Sequence, residues 1–322
     1  MRILITGITG FIGGHLTEAL RAEGTHAITG LSRSASWGAS LAHLAGAAEL
    51  RAVELLDGPA VEAAVREIRP DWIFHLAGYA NTGRSFREPD QCWSDNLAGT
   101  RSLYDAIARS GVKPRILFVS TGLVYGDAEG PEAFDESAPF RPASPYAASK
   151  AAADVLSYQV TKSPGLDVLR VRLFNQIGPR QSADYASANF ARQIAAVEKG
   201  SQPPIIETGD LSGERDITDI RDMVRAFRLL IEKGKSGEAY NAGRGTTWSM
   251  RTVLNKLVKH SKVPLEVREK VEPGRKADTA ITRANPAKLV AATGWEPHYS
   301  LDQTLSDVLA FWRDAPQSTP PK

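Results

Sequence analysis

The chain has 322 residues, of which 42% are hydrophobic and 24% are charged. This length and composition exclude a wholly disordered chain and suffice for one large domain, or two closely joined lobes, around a sizeable core. The chain has 39 Lys and Arg against 37 Asp and Glu, a formal net charge of +2, and it has no long block of charges of one sign. This charge distribution argues against nucleic acid as a partner.

Cysteine content and hydropathy exclude further classes of protein. A single cysteine, Cys92, excludes a disulfide framework and a cysteine-rich zinc site within one chain. The apolar residues 1–16 lack a basic region that leads into a small-residue cleavage site. No uncharged run approaches the roughly 20 apolar residues of a membrane-spanning helix. We therefore expect a cytoplasmic protein without a metal site or a membrane partner.

Short apolar runs alternate with longer helical patterns in the first 175 residues. The predicted strands cover residues 2–7, 26–33, 51–56, 71–78, 115–122 and 166–175. The predicted helices cover residues 11–23, 59–69, 97–110 and 146–162. Helices of this length are the crossovers that parallel neighbouring strands require, so the pattern predicts a doubly wound α/β sheet.

Beyond about residue 175 the alternation loosens, and loops rich in Gly, Pro and Ser separate the helical patterns. The predicted helices here cover residues 187–199, 219–233, 249–261 and 301–313. We interpret this part as a smaller second lobe. The predicted organisation is a dinucleotide-binding domain over 1–174, a lobe that mainly binds substrate over 175–314 and a tail over 315–322.

A glycine-rich turn follows the first predicted strand. Gly7, Gly10 and Gly13 stand at the end of that strand and at the start of a helix. Glycine permits a tight turn and lets backbone N–H groups approach a pyrophosphate, while the helix N-terminus carries partial positive charge. The pattern in this position predicts binding of a dinucleotide, whereas the motif alone would also be typical of a structural turn.

The end of the second predicted strand bears on the choice of cofactor. In folds that prefer NAD an acidic residue at this point holds the ribose 2′-hydroxyl, but here the strand ends in Ser32, Arg33 and Ser34. Arg33 could pair with a 2′-phosphate. We therefore expect NADP(H), with NAD(H) as the alternative if Arg33 is only a solvated loop residue.

Candidate catalytic residues lie in two places. Ser144 and Pro145 suit the N-cap and first turn of a helix, which would put Tyr146 and Lys150 four residues apart on one face. A phenol with a pKa near 10 is a poor base unless a nearby cation favours its ionised form, and Lys150 can supply that cation. Thr121 ends a predicted strand and could hydrogen-bond the substrate oxygen.

Together these motifs resemble the extended short-chain dehydrogenase/reductase family, also called the NAD-dependent epimerase/dehydratase family, over nearly the whole chain. The segments that carry the resemblance are Gly7-x-x-Gly10-x-x-Gly13, His75-Leu76-Ala77-Gly78, Asn96 with Gly99-Thr100, Ser120-Thr121-x-x-Val124-Tyr125-Gly126 and Tyr146-x-x-x-Lys150. A second set resembles the group of GDP-mannose 4,6-dehydratases and GDP-4-keto-6-deoxy-D-mannose reductases. This set comprises Arg84-Ser85-Phe86 with Pro89, Arg172-x-Phe174-Asn175-x-Ile177-Gly178-Pro179 and Arg215-Asp216.

The resemblance implies a Rossmann sheet with a smaller C-terminal lobe, an NAD(P)-dependent activity and a nucleotide-sugar substrate, with a GDP-sugar favoured. It implies a catalytic role for Thr121, Tyr146 and Lys150. Implied cofactor-binding residues are Gly7, Gly10, Phe11, Ile12, Gly13, Arg33, Asp57, Leu76, Ala77 and Lys150. Implied substrate-binding residues are Ser85, Thr121, Tyr146, Asn175, Arg215 and Arg275. Arginine suits the diphosphate because its guanidinium matches phosphate oxygens, although Arg275 could equally be a surface residue.

One departure from the family bears on the reaction. A 4,6-dehydratase places a carboxylate one or two residues after the catalytic Thr, but here those residues are Gly122 and Leu123. We therefore expect reduction of the 4-keto group of a GDP-4-keto-6-deoxyhexose to a GDP-6-deoxyhexose such as GDP-rhamnose. The alternatives are a UDP-sugar 4-epimerase with bound NAD and, less favoured, the 4,6-dehydratase or a non-catalytic dinucleotide-binding module. We interpret His75 as structural.

Members of the family commonly pair through two helices from each subunit. In this chain the corresponding helices are 97–110 and 146–162. The resemblance therefore implies a homodimer with a four-helix interface, although a sequence alone does not separate an interface stripe from core packing.

Overall fold

A parallel sheet of seven strands forms the centre of the protein. The structure, a computed structural model, describes residues 1–24, 26–128, 132–270 and 281–315. The strands are β1 (Arg2–Thr6), β2 (Ala27–Ser32), β3 (Glu49–Ala52), β4 (Trp72–His75), β5 (Arg115–Thr121), β6 (Asp167–Leu173), β7 (Asn175–Ile177), β8 (Ile205–Thr208), β9 (Glu214–Asp219), β10 (Ala239–Ala242), β11 (Thr247–Ser249), β12 (Glu266–Glu269) and β13 (Ile281–Thr282). Their order in the main sheet is β10-β6-β5-β4-β1-β2-β3. The predicted doubly wound α/β fold is confirmed.

Helices cover both faces of the sheet. They are α1 (Phe11–Ala22), α2 (Gly58–Ile68), α3 (Thr82–Ser85), α4 (Pro89–Trp93), α5 (Gly99–Ser110), α6 (Pro145–Lys162), α7 (Ala186–Glu198), α8 (Ile220–Lys233), α9 (Met250–Lys259), α10 (Ala287–Thr293) and α11 (Leu301–Asp314). Short 3-10 turns lie at Ala39–Leu44 and Gly122–Tyr125, and a π-helical turn at Ser94–Ala98 leads into α5. None of the helices in the described ranges is long and apolar enough to cross a bilayer.

The apolar residues of β1 show how the core is built. Ile3 and Ile5 pack into the cluster that α1 and α8 cover, whereas Leu4 packs into the cluster that α2 and α5 cover. Successive side chains of a strand point to opposite faces, so a strand covered on both faces must be apolar throughout. This requirement explains the continuous apolar run at the start of the chain.

The second lobe is built around two small sheets. β9 pairs with β7, β11 and β13, and β8 pairs with β12. A third apolar cluster lies beneath α7, α9 and α11. However, α8 packs on α1, and β10 extends the main sheet beside β6. The central sheet therefore contains strands from both sides of residue 174. The sequence pattern did not predict strand β10.

Some predicted boundaries were wrong. The strand predicted at 51–56 lies at 49–52, because the chain turns at residues 54–57, where the amide of Asp57 donates to the carbonyl of Glu54. The helix predicted at 97–110 begins at Gly99 after the π-helical turn. Of the predicted tail at 315–322, all but Ala315 lies outside the described residues.

A buried ion-pair network fixes α6 to the sheet. Asp154 is fully buried, and its carboxylate accepts hydrogen bonds from Arg170 at 2.6 Å and from Arg172 at 3.2 Å. Arg172 also donates to the hydroxyl of Tyr125, which in turn donates to Asn241 on β10. The network therefore ties α6, β6 and β10 together in the interior of the protein.

We expect Asp154→Asn to lower the free energy of unfolding by about 3–5 kcal/mol, because it leaves the buried Arg172 and the partly buried Arg170 without their counter-charge. The matched control is Glu232→Gln, which removes an ion pair with Arg228 that is half exposed on α8. Exposed pairs of this kind contribute about 0.3–0.5 kcal/mol. Urea unfolding of both variants measures the difference, and equal losses would contradict a special role for the buried network.

Candidate active site

The glycine-rich turn lies where the strand order of the main sheet reverses, between β1 and β4. A Cβ atom on Gly7, whose φ is 71°, would lie 2.8 Å from the backbone nitrogen of Ala77. A Cβ atom on Gly13 would lie 2.4 Å from the carbonyl oxygen of Gly7. Gly10 is the N-cap of α1. The turn is therefore too tight for side chains and presents a helix N-terminus at the switch point, the arrangement that accepts a dinucleotide pyrophosphate.

The other predicted cofactor residues surround this turn. Phe11 and Ile12 begin α1, and Leu76 and Ala77 follow β4. Asp57 is the exposed N-cap of α2, and its carboxylate accepts a hydrogen bond from the amide of Ala60 at 3.0 Å. Arg33 is exposed in the loop after β2, beside Ser32, whose hydroxyl donates to the carbonyl of Ser34. All of these residues follow carboxyl ends of strands or begin helices, on the side of the sheet where α/β folds bind ligands.

The start of α6 has the local structure that the sequence predicts. Ser144 is the N-cap, its side chain accepts from the amide of Ala147 at 3.1 Å, and Pro145 occupies the first helical position. Tyr146 and Lys150 thus lie one turn apart, and Thr121 is the last residue of the adjacent β5. The structure brings all three predicted catalytic residues together.

Burial governs the protonation of the predicted catalytic residues Tyr146 and Lys150. Burial raises the pKa of Tyr146 above its ordinary value, and the nearby Thr121 hydroxyl only partly offsets this rise. The phenol is therefore protonated at neutral pH. Burial lowers the pKa of Lys150 to about 8, with a partial offset from Asp154. The Lys150 amine donates to the carbonyl of Val119 at 2.7 Å and not to the phenol, an arrangement that helical spacing did not predict.

His75 is held in a structural position beside this pair. Its two ring nitrogens make hydrogen bonds with the hydroxyls of Thr6 and Thr100 at 2.7 and 2.9 Å. Burial, with a smaller contribution from the charge of Lys150, lowers the pKa of His75 to about 3. The imidazole is therefore neutral, in agreement with a structural interpretation.

An open cleft of about 800 Å³ runs from the first turn of α6 to β8. Two predicted substrate residues, Asn175 on β7 and Arg215 on β9, line it. The position of β9 is fixed by buried Asp216, whose carboxylate accepts hydrogen bonds from three backbone amides. The guanidinium of Arg215 donates to the carbonyl of Glu214 at 2.9 Å. The cleft thus presents an amide and a cation from the second lobe near the catalytic helix.

Ser85 and Arg275 were also predicted to bind substrate. Ser85 is fully buried, and its hydroxyl donates to the carbonyl of Thr82 at 2.6 Å, so Thr82 and Gly83 line the cleft while Ser85 lies behind them. Arg275 lies outside the described residues. Their roles in binding stay predictions.

Several cleft residues were missed in the sequence analysis. Polar side chains that line the cleft come from the loop before α7, from β8 and the segment after it, and from the end of β12, and they include Gln181, Asp184, Tyr185, Glu207, Asp210 and Lys270. The signal that could have identified the first three is their position shortly after Gly178 and Pro179, which belong to a motif that carries the family resemblance. The others lie in segments without a distinctive pattern.

The two residues that follow Thr121 differ in their surroundings. A Cβ atom on Gly122 would lie 2.8 Å from the ring of Phe174, so a side chain at this position would collide with the core. Leu123 lines the cleft. Neither residue has an acid or base, and of the two only position 123 faces the space where a substrate fits.

The switch-point glycine turn and the Tyr–Lys pair beside the last residue of β5 define an NAD(P)-dependent enzyme of the extended short-chain dehydrogenase/reductase class. Within that class, the family model described as GDP-mannose 4,6 dehydratase matches residues 4–308. The chain belongs to this family, as the sequence motifs predicted.

Individual relatives include several reactions on nucleotide sugars. A GDP-6-deoxy-D-mannose reductase of Pseudomonas aeruginosa is 32% identical over 97% of this chain and 97% of its own length. A solved structure of RMD from Pseudomonas aeruginosa complexed with NADPH has a TM-score of 0.85 at 32% identity, over 97% and 98% of the two chains. A UDP-glucose 4-epimerase of Thermus thermophilus in complex with NAD has a TM-score of 0.86 at 30% identity, over 98% and 100%. Reductases and epimerases thus share this fold.

Proposed function

We propose that this protein is a reductase that uses NADPH to convert the 4-keto group of a GDP-4-keto-6-deoxyhexose into a hydroxyl, giving a GDP-6-deoxyhexose of the GDP-rhamnose type. The observation that carries the proposal is the pair Gly122 and Leu123. A dehydratase must remove one proton and expel a hydroxyl, which requires an additional acid or base beside the catalytic Thr. The packing of Phe174 against Gly122 leaves no space for one there, and Leu123 supplies none.

Keto reduction requires a proton donor, and Tyr146 suits this role. Its raised pKa keeps the phenol protonated at neutral pH, so it can donate a proton to the carbonyl oxygen as that oxygen gains negative charge. The hydroxyl of Thr121 lies beside the phenol and can donate a hydrogen bond to the same oxygen. Lys150 carries a positive charge below about pH 8 and stabilises the tyrosinate that remains. Tyr146 then regains a proton from solvent.

The dinucleotide would be held by the glycine turn at Gly7, Gly10 and Gly13, whose amides and helix N-terminus suit a pyrophosphate. A bound nicotinamide dinucleotide supplies the hydride for the carbonyl carbon. Arg33 is the residue we assign to the 2′-phosphate of NADPH, because it is an exposed cation at the position where NAD-preferring relatives have an acid. A complex of RMD with NADPH among the similar structures supports NADPH as the cofactor.

The sugar nucleotide would lie in the cleft of about 800 Å³. Asn175 suits contacts with the hexose or its phosphate, and Arg215 suits the diphosphate because a guanidinium can bind two phosphate oxygens at once. The GDP-6-deoxy-D-mannose reductase among the relatives supports guanine as the base. A UDP-sugar 4-epimerase is the alternative, since similar epimerases match over nearly the whole chain. An epimerase would retain NAD and consume no added cofactor.

We expect the purified protein to oxidise NADPH when GDP-4-keto-6-deoxymannose is added, and Tyr146→Phe to lower kcat by roughly 10²–10⁴-fold because the proton donor is lost. The matched control is Tyr158→Phe, which alters an exposed tyrosine on the same helix. Absorbance of the reduced nicotinamide follows the reaction. If no cofactor is consumed but UDP-sugars are interconverted, the protein is an epimerase, and unchanged turnover in Tyr146→Phe would exclude the mechanism.

We expect Arg33→Ala to raise the KM for NADPH about tenfold or more and to leave the KM for NADH nearly unchanged, because hydrogen bonds to a charged group contribute about 1.5–3 kcal/mol. Arg21→Ala is the control, since Arg21 is an exposed arginine at the opposite end of α1 from the glycine turn. The two KM values are measured with each cofactor. An equal effect on NADPH and NADH would remove Arg33 from recognition of the 2′-phosphate.

We also propose that the protein forms a homodimer through α5 and α6. These helices, with the turn before α5, form a surface groove of about 840 Å³ that is mainly apolar. Its apolar lining includes Trp93, Leu97, Leu156, Val160 and Pro164. Beside it, Val155 on α6 is 58% exposed. Apolar groups gathered on two adjacent helices suit a self-complementary interface with a second copy.

Light scattering should give twice the chain mass for the unaltered protein and the chain mass for Val155→Arg, because a charge cannot be buried in an apolar interface without a partner. Val290→Arg is the control, since Val290 is 42% exposed on α10, away from the groove. A monomeric parent protein, or a dimer that persists in Val155→Arg, would contradict the interface.

A further inference from the structure

An ion pair lies in the part of the cleft wall that the second lobe provides. Glu207 on β8 and Lys270, the residue after β12, both line the cleft. The amine of Lys270 donates to Oε1 of Glu207 at 2.8 Å. By contrast, Ser144 and Ala147 at the start of α6 line the part of the cleft that belongs to the central sheet. The cleft therefore offers a carboxylate and an ammonium side by side in the second lobe.

The backbone on both sides of this ion pair is held in place. Gln193 on α7 is 5% exposed, and its side chain donates to the carbonyl of Glu207 and accepts from the amide of Glu207, both at 2.9 Å. The amide of Lys270 donates to the carbonyl of Thr208 at 2.7 Å. Although the two side chains are exposed, the pairing of β8 with β12 and the bonds to Gln193 thus fix where they start.

Three carboxylates line the cleft in the described part of the chain, and they differ in what they bind. Asp210 accepts from the amide of Ser212 at 2.8 Å, so it is used within its own turn. Asp184 belongs to the loop before α7, which is bonded to the loop after β4 of the central sheet. Within the described residues, the carboxylate of Glu207 has Lys270 as its only hydrogen-bond partner. Its second oxygen is therefore free to accept from a ligand in the second lobe.

We propose that Glu207 and Lys270 bind the base of the sugar nucleotide, and that Glu207 is the residue that selects guanine over uracil. This inference rests on the proposed reduction of a GDP-sugar. The hexose of that substrate must reach Tyr146 on α6, and the base is the other end of a sugar nucleotide. The base therefore lies toward β8 and β12, where the ion pair is.

Guanine matches this pair of charges because it has the acceptor O6 next to two donors, N1–H and the N2 amino group. The two oxygens of a carboxylate can accept from both donors at once, while the neighbouring ammonium donates to O6. Uracil has one N–H between two carbonyl oxygens, so one carboxylate oxygen would face a carbonyl oxygen without a hydrogen between them. An exposed ion pair contributes little to stability, so a base can bind both partners at a small cost.

The first test compares the binding of GDP, IDP and UDP by calorimetry. NADP⁺ and NAD⁺ are both present in excess, so that the dinucleotide site is occupied and the nucleotides bind in the cleft. IDP keeps O6 and N1–H of the base but lacks the N2 amino group. We expect GDP to bind most tightly, IDP about tenfold more weakly and UDP more weakly still, because one bidentate contact with a base discriminates by about tenfold or more.

The second test changes the carboxylate alone. Glu207→Gln keeps the size of the side chain but replaces one oxygen by an amino group, which opposes the N2 amino group of guanine and can donate to a carbonyl oxygen of uracil. We expect the Kd of GDP to rise about tenfold, the preference for GDP over IDP to disappear and UDP to bind several-fold more tightly. Glu266→Gln is the matched control, since Glu266 is an exposed carboxylate on β12 that pairs with Arg268 at 2.7 Å and is not among the residues that line the cleft.

Lys270→Met separates the two partners of the ion pair. Because GDP and IDP both keep O6, we expect this variant to weaken them by the same factor and to leave the preference for GDP over IDP in place. A loss of that preference in Lys270→Met would contradict the assignment of the N2 amino group to Glu207.

The outcomes distinguish this inference from the proposed function. If the unaltered protein binds UDP as tightly as GDP, or if Glu207→Gln weakens all three nucleotides alike or leaves them unchanged, the inference is overturned even when the keto sugar is reduced. If the preference for GDP depends on Glu207 but NADPH is not consumed with GDP-4-keto-6-deoxymannose, recognition of guanine by Glu207 is supported and the proposed reduction is wrong.

Discussion

The buried carboxylate of Asp154 is the group on which the geometry of α6, the helix that carries Tyr146 and Lys150, depends. It lies on α6 two turns after Tyr146 and one turn after Lys150, and it binds the guanidinium groups of Arg170 and Arg172 on β6. A buried charge is tolerated only when it is paired and hydrogen-bonded, so these bonds hold α6 against β6. The same carboxylate favours the charged form of Lys150 against the effect of burial. Structural anchoring and the charge of the active site thus share one residue.

The cleft depends on a second set of interactions that join the lobes. Arg180, whose φ of 72° is unusual for a residue other than glycine, binds Glu18 on α1. Partial burial opposes ionisation of Glu18, but hydrogen bonds with His15, His43 and Arg180 lower its pKa to about 2. The carboxylate is therefore ionised throughout the neutral range. Because α1 begins at the glycine turn, this ion pair fixes the loop before α7 relative to the dinucleotide site.

The sequence predicted those parts of the fold and site that local chemistry determines. The cap at Ser144 with Pro145 identified the start of α6, and Gly7 and Gly13 identified the turn at the switch point. In contrast, β10 has only four residues, and its strand character comes from pairing with β6, some 70 positions earlier in the chain. Pairing over such a separation leaves no periodic signal in a short segment.

Side-chain direction was the other quantity that could not be predicted. The resemblance gave positions, and several of them belong to the core. Arg172 pairs with Asp154, Phe174 packs against Gly122, and Ser85 bonds to Thr82. From the same motif, Asn175 lines the cleft. Neighbouring residues of a strand point to opposite sides, so one motif supplies both packing and binding residues, and only the packed structure separates them.

The difference between positions that face the core and positions that face the cleft also bears on which reaction the fold can support. Gly122 is required by the ring of Phe174, so an acid could not be introduced at position 122 without rebuilding the core beneath Thr121. Position 123 faces the cleft, where a change of side chain would not disturb the core. Core packing therefore restricts the place for an additional acid or base to a single residue after Thr121. With leucine at that residue, the proposed reaction leaves Thr121, Tyr146 and Lys150 to move one proton at the carbonyl oxygen, which is the requirement of keto reduction.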